Sequence, residues 1–194
     1  MEQGLPPGER ERLGTRERLL LLRPTVMLQI SHAWGCLRYV FSKHLRPTTR
    51  RLPAPVQLPT GDWAAASEEI GTQLLSCRFW HHSMRTWYFA TAMAEMDSVP
   101  LDEELMFVVA ALHDIGLFQP RQGRCFTAVG ADLARSTAAS AGVSADRAEL
   151  AAEAISAHIS PSRPRGVVGQ YLQAGSMLDV IGYRMWRLDP MPLR

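Results

Sequence analysis

Apolar residues recur at three- and four-residue steps along most of the chain, and strand-like alternation of Val, Ile and Thr is nearly absent. Val26, Ile30, Trp34, Leu37 and Phe41 predict a helix over 25–45. Asp62 reads as the N-cap of a helix reaching about Leu75. The next helix runs from near Phe79 to Met96, with His82, Arg85, Phe89 and Met93 on one face. Pro100, Asp102, Glu103 and Glu104 make a first turn whose carboxylates suit the positive helix end. That helix continues through Val108 and Leu112 and is expected to stop at Gly116. Beyond a loop over 117–125, helices follow from about Thr127 to Ala141, from Ser144 to His158, and from Val167 to Trp186. The pattern predicts an all-α fold, a single bundle of about six or seven helices.

Composition agrees: 46% of the residues are apolar, enough for one full core in a chain of 194. Residues 46–61 carry four prolines, Pro47, Pro53, Pro55 and Pro59, and read as a linker. The expected division is a loosely structured N-terminal extension with linker over 1–59 and a helical body over 60–194. Charge follows it. Residues 1–51 hold ten Lys/Arg against four Asp/Glu, the remainder eleven against fifteen. A basic arm can touch nucleic acid or acidic membrane; the simpler reading is a solvated tail, so neither is an expected partner.

Cys36, Cys77 and Cys125 show no paired spacing, which suits a reducing, cytoplasmic setting. No apolar run reaches the ~18 residues of a membrane span. The best, Leu19 to Ile30, is broken by Arg23 and Pro24 and lacks a small-residue cleavage site, so no signal peptide is expected. The pattern specifies no oligomeric state.

The chemistry concentrates at His113-Asp114, which closes the apolar run Met106 to Leu112. An imidazole and a carboxylate buried side by side are costly without partners, and a divalent cation suits both. His82 and Asp179, each in an apolar setting, complete a set of the order His, His-Asp, Asp. Neighbouring helical residues diverge by about 100°, so His113 and Asp114 share an ion only if it sits astride the helix end. Imidazole and carboxylate without thiolate point to one catalytic transition ion, zinc first, with Mn, Fe, Co or Ni also compatible. Such an ion lowers the pKa of bound water from near 16 to roughly 7.

Other residues have plainer alternatives. His158 lines the substrate pocket and moves a proton, or is a helix-end histidine stabilised by the dipole. Arg85 orients Asp114 by a bidentate contact or holds an anionic substrate. Asp179 is a ligand or pairs with an arginine such as Arg184. His81 is the rival of His82 one position round the helix. Trp63 and Trp80 wall a pocket or belong to the core, and Cys125 is a loop thiol with no evident base.

The order His82, His113-Asp114, Asp179, with Ala-Leu-His-Asp-Ile-Gly in the middle, resembles the HD-domain superfamily of metal-dependent hydrolases. Four segments carry a finer resemblance to its cyanamide hydratase-like branch: His82 to Phe89, His113 to Leu117, Phe126 to Ala131 with Ala154 to His158, and Leu178 to Gly182. The resemblance spans about residues 60–186. It implies an all-helical fold, His82, His113, Asp114 and Asp179 as ligands, and hydrolysis of phosphate esters or hydration of a small nitrile such as cyanamide.

Two departures bear on which. No acid follows the His-Asp pair before Asp132, where nucleotidase-type members carry one, and Thr127 stands where the hydratase-like branch tends to have Glu. The expected function is therefore a metal-dependent hydrolase or hydratase acting on a small-molecule electrophile. The alternatives are a phosphohydrolase acting on a nucleotide or other phosphate ester, and a degenerate member that binds a ligand or partner without turnover.

Overall fold

The computed structural model describes residues 26–27, 29–37, 40–41, 57–160 and 166–187. The expectations for residues 1–18 and for most of the proline-rich linker lie outside them. Among the described residues there is no strand, and the all-α expectation holds. Helical residues over 26–41 precede six complete helices: α1 Asp62–Leu74, α2 Cys77–Met96, α3 Glu103–Leu112, α4 Phe126–Ser140, α5 Ala145–Ala157 and α6 Val167–Ile181. Short 3-10 turns lie at Ile115–Leu117 and Met185–Arg187. No helix among them is long and apolar enough to cross a membrane.

α3 is the centre of the bundle. Residues 105–112 are all buried, as a helix apolar on every side requires. Its start is fixed by chemistry: the Asp102 side chain accepts from the Leu105 amide at 2.9 Å. Arg147, on α5, donates to Asp102 at 2.7 and 2.8 Å and to Glu104 at 2.8 Å, tying α5 to the same turn. The remaining helices pack round α3, most extensively α2 against α6 and α4 against α5.

The α2–α6 crossing is close because Gly175 lacks a side chain. A Cβ there would lie 2.4 Å from the Thr86 carbonyl oxygen and 2.9 Å from the Ala90 nitrogen. Asp179 lies one turn further along α6, so this approach brings it to α2.

Several boundaries differ from expectation. α1 is capped by Gly61, with Asp62 as its first residue. α3 ends at Leu112, not Gly116. Gly116 instead lets the chain pass Phe126, whose carbonyl oxygen would stand 2.1 Å from a Cβ. α6 ends at Ile181, not Trp186. Gly182 adopts φ +68°, and the amides of Gly182 and Tyr183 close on the carbonyls of Leu178 and Met177.

Candidate metal centre

His113 caps the C-terminus of α3 and still has helical angles, φ −60° and ψ −34°. Asp114 leaves the helix at φ −104° and ψ 1°. That departure cancels the usual divergence of neighbours, and Asp114 Oδ2 lies 3.4 Å from His113 Nε2. Both residues are buried, His113 completely.

The histidine tautomers follow from their hydrogen bonds. His113 Nδ1–H donates to the Ala110 carbonyl at 2.8 Å, which leaves Nε2 as a lone pair. His158, the C-cap of α5, repeats the device and donates through Nδ1–H to the Ile155 carbonyl at 2.7 Å. Its Nε2 lies 3.8 Å from Asp114 Oδ1. His82, on α2, donates through Nδ1–H to Asp179 Oδ2 at 2.7 Å. His82 Nε2 then faces His113 Nε2 at 3.3 Å and Asp114 Oδ2 at 3.7 Å.

Two imidazole lone pairs 3.3 Å apart repel unless positive charge lies between them. With Asp114 Oδ2 they form a triangle of edges 3.3, 3.4 and 3.7 Å. Ligands about 2.1 Å from a tetrahedral ion stand about 3.4 Å apart. The donor set therefore fits one divalent ion, and among the described residues His82, His113 and Asp114 are the group whose ligand atoms converge.

Burial shapes the protonation of the cluster. It pushes His113 down to about 4, against the help of the Ala110 carbonyl. It also pushes His158 down to about 4, with His113 adding to the effect. Asp114 is raised, again by burial, while His158 and His82 pull it back. Both shifted histidines are thus neutral and ready to act as nitrogen donors at neutral pH.

Asp179, the expected fourth ligand, is brought to the Nδ1 side of His82 and not into the triangle. Arg85 donates to its Oδ1 at 2.6 Å through Nε and to its Oδ2 at 3.0 Å through Nη2. Burial opposes ionisation of Asp179, but the hydrogen bonds from Arg85 and His82 outweigh it and hold the carboxyl below its ordinary value. The expected contact of Arg85 with Asp114 is made with Asp179 instead, and Arg85, not Arg184, is the arginine paired with that carboxylate.

The remaining candidates separate. His81 is exposed beside Cys77, with ring nitrogens 3.9 Å from its sulfur. Trp63 is core and donates to Thr137 Oγ1 at 2.9 Å. Trp80 is half-buried and covers Gly71. Thr127 is buried, its hydroxyl 3.2 Å from Cys125 Sγ, and this contact lowers the thiol's pKa. A cavity of about 460 Å³ has Ile115, Arg121, Val129 and Asp132 in its wall, but none of the cluster residues.

Sequence reasoning missed the backbone carbonyls of Ala110 and Ile155. The signal was present, since each of the two histidines ends a helix three residues after an apolar residue.

The family model described as HD domain matches residues 79–191. No curated protein matches the chain. Among solved structures the chain is similar to one described as a predicted HD superfamily hydrolase from an uncultured Thermotogales bacterium. Identity is 21% and the TM-score 0.51, over 60% of this chain and 68% of that one. At that identity the likeness bears on the fold.

Proposed function

The chain belongs to the HD domain family, and on that basis we propose that it is a metal-dependent hydrolase or hydratase acting on a small, neutral electrophile, with a nitrile such as cyanamide as the first candidate. The observation that carries the metal reading is the 3.3 Å approach of two imidazole nitrogens beside the Asp114 carboxylate. His82, His113 and Asp114 would hold one divalent ion, zinc first among Zn, Mn, Fe, Co and Ni, with Asp179 the remaining residue of the expected set. Such an ion supplies a water activated near neutral pH.

Each residue has a defined task. Asp179 and Arg85 fix the His82 ring so that its Nε2 faces inward. The Ala110 carbonyl does the same for His113. His158 offers an unprotonated Nε2 beside Asp114 and would accept or return a proton during turnover. Burial keeps that nitrogen unprotonated at neutral pH, which makes it an available but weakly basic acceptor.

Among the described residues, Arg85, Arg121 and Arg124 support the neutral substrate. A phosphate ester needs cationic or backbone donors round its oxygens. Arg85 is committed to Asp179, Arg124 pairs with Asp132 at 2.5 Å, and Arg121 lies in the wall of a cavity that none of the cluster residues lines. Phosphohydrolysis is the second reading, since the family order of ligands is compatible with it.

The test is direct. The full chain is loaded with each metal in turn and assayed for urea from cyanamide and for phosphate from a nucleotide panel. Urea formation that disappears in His113→Ala supports the reading. Phosphate release without urea transfers it to the second. A chain that binds no metal ends both.

A further inference from the structure

We infer that the helical residues 26–27, 29–37 and 40–41 form an interfacial face that docks on an anionic lipid surface. Projected at about 100° per residue, Val40, Ala33, Val26, Leu37, Ile30, Phe41, Trp34 and Met27 fill one arc of about 140° in that order. All eight are exposed, Trp34 at 61% and Phe41 at 76%. The other face points at the body: Gly35 is buried, Cys36 and His32 are half-buried, and the His32 ring lies 6.3 Å from that of Tyr183. A helix of a globular protein ordinarily buries its apolar stripe and exposes its polar one. Here the apolar stripe is presented outward, and only His32, Gly35 and Cys36 turn towards the body.

Charge identifies the occupant. From Arg18 to Gly61 the chain holds seven Lys/Arg and no Asp or Glu. Such a segment repels its own copy and is attracted to the negative potential of anionic lipid. Trp and Phe on the apolar face suit the boundary between headgroups and acyl chains. This mode differs from spanning: the helix lies in the surface plane, and the lack of a membrane-crossing helix among the described residues does not bear on it.

The experiment is flotation of the full chain with vesicles of phosphatidylcholine alone or mixed equally with phosphatidylglycerol. Binding to the mixed vesicles is expected to be at least about tenfold tighter, and to weaken with salt. Ile30→Glu with Phe41→Glu abolishes it. Both positions are exposed, so the double variant keeps the helical circular dichroism and metal content of the parent. Equal binding to both vesicles, no binding to either, or a double variant that binds like the parent overturns the inference. A lipid-free dimer that the double variant converts to monomer also overturns it, and gives the face to a second copy.

Discussion

Arg85 and His82, three residues apart on α2, grip the same carboxylate: Arg85 donates to both oxygens of Asp179 at 2.6 and 3.0 Å, and His82 donates to one of them at 2.7 Å. The carboxylate is thus fixed by a planar fork and passes that order to the imidazole. Orienting partners of this kind typically contribute 10–100-fold to metal affinity. Arg85→Ala is therefore expected to weaken metal binding roughly tenfold or more. Arg85→Lys should recover only part, because an ammonium cannot form the fork. Competition against a chelator of known affinity measures both. Undiminished binding by Arg85→Ala would remove the orienting role.

The second prediction concerns acid. His113 and His158 titrate near 6.5 in the unfolded chain but near 4 when folded, because burial disfavours their charged forms. Between those values the unfolded state binds more protons. Stability of the metal-free protein is thus intact above about pH 6.5 and falls as pH drops towards 4, by up to about 1.4 kcal/mol per pH unit for each histidine. Asp114, raised by burial, acts in the opposite sense and softens the fall at its acid end. Urea midpoints across this range give the slope, which should be shallower in His158→Gln. A flat profile would show that these imidazoles are not buried neutral.

Packing and chemistry meet at Gly175. A Cβ there would stand 2.4 Å from the Thr86 carbonyl, a backbone atom that cannot swing aside. Gly175→Ala should force α2 and α6 apart at a cost of about 1–3 kcal/mol. Because Asp179 is the next turn of α6, the same substitution should lower metal affinity even where the protein stays folded. Thermal unfolding with and without metal reads the two effects separately. A variant with parental stability and parental affinity would mean the crossing is looser than the contact implies.

These relationships mark the boundary of what sequence could reveal. The helices were legible because their stripes repeat at helical spacing, and the run ending in His113-Asp114 marked the centre because apolar residues on every side leave no solvent face. Helix ends were less legible. The apolar stripe of α6 continues past Ile181, yet Gly182 takes a left-handed conformation that the stripe does not encode. The residue order named His82 and Asp179 as members of one site. It did not say which side of the imidazole Asp179 meets, because that depends on the separation of α2 and α6. The partner of Arg85 was hidden for the same reason: Asp114 and Asp179 differ in helix, not in chemistry.

His158 supplies the last prediction. It shares with His113 the helix-end position and the backbone carbonyl that holds Nδ1–H, but its Nε2 is 3.8 Å from Asp114 Oδ1 and lies outside the triangle. A neutral imidazole at that distance is placed to take a proton from a group in the site and return it. His158→Gln should therefore leave metal content near that of the parent and lower kcat by about 10²–10⁴, with a smaller change in KM. It should also remove one limb of the pH–rate profile, which a purely structural histidine would not do. Elemental analysis beside the kinetics separates the alternatives. If the variant loses its metal together with its activity, His158 is a ligand, and the centre has three histidines.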